Sequence, residues 1–336
     1  MPALVLYRSG ERPGRTGGKP VEWLFIVLGI AFVLFVTVVA ALYFMTLYVK
    51  PKRLRIALAM PNESLKKRMK DADMKYTLGL TREIVEMPCE KIELRSFDGL
   101  CLAARLYMQA ENAPILILCH GYRGHAAADF RGIFQQVRSL GYNILLINER
   151  AHWESEGSTI ALGLREKRDV LDWAKYTAER FPGKPIALYG VSMGAATVLS
   201  TSCMDLPESV KAIVADCGFS TPKAIVKHVL KWIKLSFLYP FVFLAMRVFG
   251  RVDLNDPGAL GAVKRTKLPI LFIHGEKDAF VPCYMSRELY EAAAGEKQLV
   301  TFENATHLHS CLMNDEKYLA TIAPFLEKHL RGGEQA

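Results

Sequence analysis

The chain has 336 residues, enough for one large domain and an appendage. Hydrophobic residues make up 51% and charged residues 23%, which is a globular composition with a slight apolar excess. Residues 1–75 hold 13 Lys or Arg and 5 Asp or Glu, a net charge of +8, whereas the remainder holds 30 and 29, a net charge of +1. The main part of the chain shows no basic patch interleaved with aromatic residues, which argues against a nucleic-acid partner.

The N-terminal region divides into three predicted segments. Residues 1–20 are rich in Gly, Pro and Arg and indicate a flexible basic tail. Residues 21–49 are predicted to form one transmembrane helix, because the run from Trp23 to Val49 carries no charge and exceeds the roughly 20 residues that cross a bilayer. A buried core helix normally has a polar stripe, and a cleaved signal peptide has an apolar region of only about 7–15 residues. Residues 50–90 read as a charged, mostly helical connector.

The charges that flank this segment bear on its orientation. Lysines and arginines follow the span closely, and by the positive-inside rule they favour a cytoplasmic position for the main domain. The odd number of cysteines, seven, fits a reducing compartment. Proteins with the same N-terminal layout are also exported, so the side of the membrane stays open.

Residues 91–332 have the pattern of one α/β domain. Asp98-Gly99 between two strand-like segments indicates a hairpin turn. Short apolar runs then alternate with helix-length stretches, which predicts a mostly parallel sheet flanked by helices. The runs cover residues 115–119, 143–147, 185–189, 211–215, 269–273 and 298–302.

One interval, between residues 215 and 269, is much longer than the dozen residues that a crossover needs. We predict a helical insertion at about residues 221–262, rich in aromatic residues and carrying Lys227, Lys231 and Lys234 on its polar side. Two interpretations are open: a mobile lid over a functional site, or an amphipathic helix pair packed on the domain.

Gly190 to Gly194 form a G-x-S-x-G motif around Ser192. Alone the motif is weak, since chance supplies it in about one chain in ten of this length. Here a strand-like run leads directly into it and a helix-like run follows, which is the setting of a nucleophile elbow. Ser192 is therefore the predicted nucleophile.

A serine hydroxyl needs a base and an orienting acid, and in this arrangement they follow at the ends of later strands in the order Ser, acid, His. Asp278 comes after the run at 269–273 and is the predicted acid, with Glu276 and Asp216 as rivals. The predicted base follows the run at 298–302. It is His307, with His309 as its rival.

The oxyanion of an acyl-transfer intermediate needs two backbone N–H donors. We assign these to Met193, which follows the nucleophile, and to Tyr122, in the loop after the run at 115–119. His120 is expected to order that loop. Neither the histidines nor the cysteines have the spacing of metal ligands, so we predict no metal and no cofactor.

These motifs together resemble the α/β-hydrolase superfamily across residues 91–330. Within it, the chain is similar to membrane-anchored bacterial hydrolases described as cell-surface esterase-like or prolyl-oligopeptidase-related. That resemblance implies that the histidine of an H-x-x-S segment is the base, which favours His307. Trp153-Glu154 departs from the small residues usual there, which puts the substrate pocket in doubt. The segments that carry the resemblance are His120–Tyr122, Glu149–His152, Ser155–Gly157, Gly190–Gly194, His274–Asp278, Val281-Pro282 and His307–Ser310.

The resulting hypothesis is a membrane-anchored serine hydrolase that cleaves an ester or related acyl bond through an acyl-enzyme. With an anchor nearby, lipid-like or other lipophilic acyl substrates are expected. A serine peptidase or amidase of the same fold is the first alternative. A membrane-anchored binding protein without activity is the second, and the complete set of Ser192, Asp278 and His307 argues against it.

Overall fold

A computed structural model describes residues 20–50 and 72–332 of the chain. The predicted tail, except for residue 20, and positions 51–71 of the predicted connector lie outside the described residues. The predicted division of the chain at residues 20, 49 and 90 therefore stays a prediction.

The core of the molecule is one eight-stranded sheet with the order β1-β2-β4-β3-β5-β6-β7-β8. β1 and β2 form the antiparallel hairpin, β2 pairs antiparallel with β4, and β3 to β8 are parallel to one another. The predicted mostly parallel sheet is confirmed. The strands are β1 Glu90–Arg95, β2 Cys101–Tyr107, β3 Ile115–Cys119, β4 Asn143–Asn148, β5 Ile186–Val191, β6 Val210–Asp216, β7 Ile270–Gly275 and β8 Lys297–Phe302.

The sheet is covered by helices on both faces, as the continuous apolar runs of its central strands require. In β3, Ile115 and Ile117 belong to one hydrophobic core, while Leu116 and Leu118 belong to the core on the opposite face. The α-helices are α1 Pro20–Thr46, α2 Ala72–Glu86, α3 Ala126–Asp129, α4 Ile133–Ser139, α5 Glu166–Arg180, α6 Met193–Thr201, α7 Pro222–Trp232, α8 Tyr239–Val248, α9 Gly258–Val263, α10 Tyr284–Ala292, α11 Ser310–Met313 and α12 Asp315–Leu330.

Helix α1 is a candidate membrane span from Glu22 to Thr46 by its length and composition. It ends three residues before the predicted end of the span, at residue 49. The next residues join the α/β domain: Leu47 is fully buried, Tyr48 forms a β-bridge with Thr159, and the Val49 N–H donates to the Ser158 carbonyl at 2.8 Å. Pairing with the domain therefore ends the helix where the apolar sequence itself continues.

The long interval between β6 and β7 is helical, with α7, a short 3-10 turn at Ser236–Leu238, α8 and α9. Helix α8 packs against α1 in a parallel arrangement. The rings of Phe35 and Phe241 lie 5.9 Å apart at one end of the contact, and those of Tyr43 and Phe249 lie 5.9 Å apart at the other. Helix α1 thus contacts the domain through the insertion as well as through its own C-terminal end.

Candidate active site

Ser192 stands at the sharp turn between β5 and α6. Its backbone has φ 55° and ψ −118°, a strained conformation for a residue with a side chain. The Ser192 N–H donates to the Asp216 carbonyl at 2.8 Å, which holds the turn against β6. A Cβ at Gly190 would overlap the backbone of Gly194, and a Cβ at Gly194 would overlap the carbonyl group of Cys119, so both positions require glycine.

The structure brings Ser192, His307 and Asp278 into one hydrogen-bonded chain. Ser192 Oγ lies 2.9 Å from His307 Nε2, and His307 Nδ1 lies 2.6 Å from Asp278 Oδ2. Because an ionised carboxylate only accepts hydrogen bonds, the network assigns the proton to Nδ1 and leaves Nε2 to accept from the serine hydroxyl. The three residues follow the C-terminal ends of β5, β7 and β8.

Asp278 is held by more partners than His307. Its Oδ1 accepts from the backbone N–H groups of Phe280 at 2.9 Å and Val281 at 2.8 Å, and its Oδ2 lies 3.3 Å from His274 Nε2. Burial alone would raise the pKa of Asp278, but hydrogen bonds to His274 and His307 outweigh it and lower this pKa to about 2. The carboxylate is therefore ionised across the working range of an enzyme.

The rival acids, Asp216 and Glu276, and the rival base, His309, have hydrogen-bond partners other than the side chains of Ser192, His307 and Asp278. The Asp216 carboxylate accepts from the Tyr318 hydroxyl at 2.7 Å, and Glu276 accepts from the Thr301 hydroxyl at 2.7 Å. The Nδ1 of His309 lies 2.7 Å from the carbonyl oxygen of His307 and so supports the backbone of that loop. The geometry favours Asp278 and His307 over all three.

The two expected oxyanion donors flank Ser192. Met193 is the first residue of α6, so its N–H has no acceptor within the helix. In the loop after β3, the amides of Gly121 and Arg123 donate to the Asp129 carboxylate at 2.8 Å and to His152 Nε2 at 3.0 Å. Among the described residues no acceptor takes the N–H of Tyr122, so both amides are available to a ligand.

His120 orders this loop, as expected. Its Nδ1 lies 2.9 Å from the Gly121 carbonyl oxygen, and its Nε2 accepts from the Glu149 N–H at 3.1 Å. Complete burial lowers the pKa of His120, with the nearby Asp129 carboxylate opposing part of that shift. The neutral ring that results can donate from one nitrogen and accept at the other, as both contacts require.

An apolar cavity of about 210 Å³ opens beside Ser192. Its walls come from α7 and α8 of the insertion and, at one end, from Thr46 and Leu47 of the α1 terminus. The lining residues include Leu162, Phe219, Ile225, Val226, Leu230, Val242, Met246 and Phe280. The cavity therefore offers an apolar group a path from the insertion to the serine.

Sequence reasoning missed the contribution of α1 and of Arg123. The Tyr122 hydroxyl donates to the carbonyl of Thr46, and Arg123 Nη2 donates to the carbonyls of Met45 at 3.0 Å and Tyr48 at 3.1 Å. The loop that carries the expected oxyanion donor is thus tied to the end of α1. A positive residue next to that loop was a signal, because helix C-terminal carbonyls attract cations.

His274 was also missed as a site residue. It is fully buried, and its Nδ1 lies 2.6 Å from the Ser286 hydroxyl while its Nε2 lies 2.8 Å from the Val281 carbonyl and faces Asp278. A histidine at the end of β7, four residues before the predicted acid, was the signal in the sequence.

One group of metal-ligating type occurs among the described residues: Cys217, Asp278 and His307 have ligand atoms within 4.8 Å of one another. Burial, then the charges of Asp216 and Asp278, raises the pKa of the Cys217 thiol well above its usual range. Asp278 and His307 already bind each other. These residues fit a metal ion poorly, because metal binding needs a thiolate and free ligand atoms.

Comparison with known proteins agrees with this architecture. Residues 114–243 match the family model of the alpha/beta hydrolase fold. The solved structure of the esterase Pf2001 from Pyrococcus furiosus superimposes with a TM-score of 0.62 and 22% sequence identity, covering 74% of this chain and 94% of that chain. The chain therefore has the α/β-hydrolase fold, and the resemblance to that superfamily is confirmed.

Two curated relatives extend the comparison. Protein bem46 of Schizosaccharomyces pombe is 27% identical over 252 residues, covering 72% of this chain and 78% of the relative. The lysophosphatidylserine lipase ABHD12 of Danio rerio is 25% identical over 189 residues, covering 55% of this chain and 49% of the relative. This chain spans about half the length of that lipase. The chain thus has the α/β-hydrolase fold and is similar over much of its length to curated proteins that include a lipase.

Proposed function

We propose that the protein is a membrane-anchored serine hydrolase that cleaves an ester or related acyl bond of a lipophilic substrate through an acyl-enzyme. One observation carries this proposal: the hydrogen-bonded chain of Ser192, His307 and Asp278 opens onto an apolar cavity. An activated serine at the mouth of an apolar cavity suits an acyl group better than a charged or peptidic one.

In the first step, Ser192 Oγ attacks the carbonyl carbon while His307 Nε2 takes the hydroxyl proton. Asp278 accepts from Nδ1–H throughout, so it holds the ring in the required tautomer and stabilises the imidazolium. The Asp278 proton affinity is low enough that the proton stays on the imidazole.

The tetrahedral intermediate places negative charge on the former carbonyl oxygen. The N–H groups of Met193 and Tyr122 are our proposed donors to it, and loss of one such donor typically costs on the order of 10²–10³ in rate. Collapse of the intermediate passes the His307 proton to the leaving alcohol. Water then repeats the sequence, with His307 as base, and releases the acid.

The acyl chain is proposed to lie in the cavity against α7 and α8. A cavity of about 210 Å³ has room for a short to medium acyl chain. The lipase among the relatives supports a lipid-like substrate class. Binding of a peptide would require polar partners, and the described lining of this cavity is almost wholly apolar.

The anchor is proposed to be α1. Its side chains from Trp23 to Leu34 are mostly exposed, which is costly in water and favourable in lipid. The basic residues on both sides of the span suit anionic headgroups, and the positive-inside rule favours the cytoplasmic side for the hydrolase domain.

The decisive test is labelling of the full-length protein, in detergent, with a fluorophosphonate probe. Wild type should label strongly, and Ser192→Ala and His307→Ala should not. His309→Ala is the matched control, and it should label like wild type. If the folded wild-type protein does not label, the alternative hypothesis of a binding protein without activity would be favoured.

Substrate class is tested with a series of esters of increasing acyl length beside aminoacyl amides. We expect the highest kcat/KM on a lipophilic ester. Strict preference for acetyl esters would contradict the lipophilic assignment, and preferential turnover of aminoacyl amides would favour the peptidase alternative.

A further inference from the structure

The segment that joins α7 to α8 exposes a compact set of large apolar side chains. Trp232 is 56% exposed, Phe237 is 68% exposed, and Ile233 and Leu235 between them are exposed as well. We call residues 232–237 the lid tip. A soluble surface rarely presents so many neighbouring apolar side chains without a partner.

The lid tip is placed by α1. Because α8 runs parallel to α1, its N-terminal end at Phe241 lies beside Phe35, eleven residues before the end of α1. At 1.5 Å per residue this is about 16 Å along the helix axis. If Thr46 lies at the membrane surface, the start of α8 and the lid tip reach the level of the hydrocarbon layer, which is about 30 Å thick.

The charges around the lid tip fit a position within one leaflet. Lys231 and Lys234 are exposed among the apolar residues, and long lysine side chains can direct their ammonium groups toward the headgroups while their stems stay in apolar surroundings. The 3-10 turn and α8 together form the apolar helical segment Ser236–Val248, which is too short to cross a bilayer.

We propose that the lid tip and the exposed side of α8 insert into the leaflet that holds the C-terminal half of α1. The partner is the lipid bilayer itself. Ile233 belongs both to the lid tip and to the cavity lining, so this contact places the cavity opening inside the lipid. An acyl chain then reaches Ser192 from the leaflet without crossing water. The inference rests on the proposed anchoring and acyl hydrolysis.

The test uses the full-length chain in vesicles of phosphatidylcholine containing phosphatidylglycerol. A photoreactive benzoylphenylalanine replaces Phe237 in one variant and Met108 in the control. Met108 is 44% exposed and follows β2 at the edge of the sheet opposite Ser192. We expect several-fold more lipid adducts at position 237 than at position 108. Equal yields, or adducts at 237 with a second copy of the chain instead of lipid, would overturn the proposal.

Fluorophosphonate labelling of the same vesicles separates the two levels of inference. Lipid adducts without labelling would leave the membrane contact standing and reject the proposed chemistry. Labelling with no lipid adducts at position 237 would support the proposed chemistry and reject the membrane contact of the lid tip.

A second measurement addresses substrate entry. The double variant Leu235→Ser with Phe237→Ser changes residues outside the cavity lining. It should hydrolyse a soluble acetyl ester at the wild-type rate but a long-chain ester embedded in vesicles several-fold more slowly. Wild-type rates of the variant on both substrates would contradict entry from the leaflet, and so would a loss of rate that is the same for both substrates.

Discussion

At the scale of single residues, the acid of the proposed triad is the most constrained group. Two histidines and two backbone amides surround the Asp278 carboxylate, and together they hold its pKa near 2 despite its burial. His307 is therefore oriented by a carboxylate that itself cannot rotate. So many fixed partners indicate that the orientation of the Asp278 carboxylate matters for more than the stability of the fold.

We predict that Asp278→Asn lowers kcat on an ester by on the order of 10⁴, because an amide that donates to Nδ1 would favour the wrong tautomer of His307. Steady-state kinetics and fluorophosphonate labelling would measure the loss. Glu276→Gln is the matched control in the same loop and should keep wild-type rates. Wild-type activity in the Asn variant would show that another group orients the base.

Glu149 is a second unusual residue. Its side chain is buried, and neither carboxyl oxygen has a hydrogen-bond partner among the described residues. Burial, then repulsion from Glu166, Asp169 and Asp129, raises the pKa of Glu149 well above its usual range. The folded protein therefore retains a proton that the unfolded chain releases above a pH of about 4.3.

The free energy of unfolding should consequently fall as pH rises through the range in which only the folded state keeps this proton. For one proton the limiting slope is about 1.4 kcal/mol per pH unit. Glu149→Gln removes the group that binds this proton. The Tm of the variant should therefore rise relative to the Tm of wild type between pH 5 and pH 8. Thermal unfolding at several pH values measures it, and a constant difference would contradict the assignment.

At the scale of elements, the helices of the insertion form the cavity wall. Val242 of α8 is buried and lines the cavity, whereas Val248, six residues further along, faces outward. The same helix thus offers a position that shapes the substrate site and one that does not.

Val242→Phe should shorten the cavity and shift the ester preference toward shorter acyl chains, with kcat/KM on a long-chain ester falling more than on an acetyl ester. Val248→Phe in the same helix should leave the preference unchanged. The series of esters measured in detergent gives both values. An unchanged preference in the Val242 variant would mean that the acyl group binds elsewhere.

The elements of the sheet could be predicted from the sequence because central parallel strands are buried on both faces and read as apolar runs. Their ends could not. β5 runs on to Val191 because the neighbouring β6 supplies hydrogen-bond partners, and pairing of this kind has no local signal. The grouping of Ser192, Asp278 and His307 could be predicted because each residue follows a strand, whereas the contact of His274 with Asp278 depends on how a loop closes.

At the scale of the whole molecule, α1 is a structural part of the α/β domain as well as the proposed anchor. Leu47 is fully buried in the main core, and the Ile160 N–H donates to its carbonyl at 2.9 Å. The sequence could not indicate this, because a uniformly apolar run contains no mark of where lipid contact ends and protein contact begins.

Leu47→Ala should lower the free energy of unfolding by about 2–5 kcal/mol, the usual cost of truncating a buried leucine. Leu34→Ala, at an exposed position of the same helix, is the control and should have little effect on the stability of the domain in detergent. Chemical unfolding of both variants measures the difference. A negligible effect of the Leu47 variant would mean that the α1 terminus is not a structural part of the domain.

The pairing of residues 47–49 with residues 158–160 fixes the end of α1 directly to the α/β domain. For a chain anchored as proposed, Ser192 is then held at a constant height above one leaflet, and the enzyme meets its substrate by diffusion in two dimensions. Its rate should follow the mole fraction of substrate within the leaflet, and dilution of the vesicles in water should not change it.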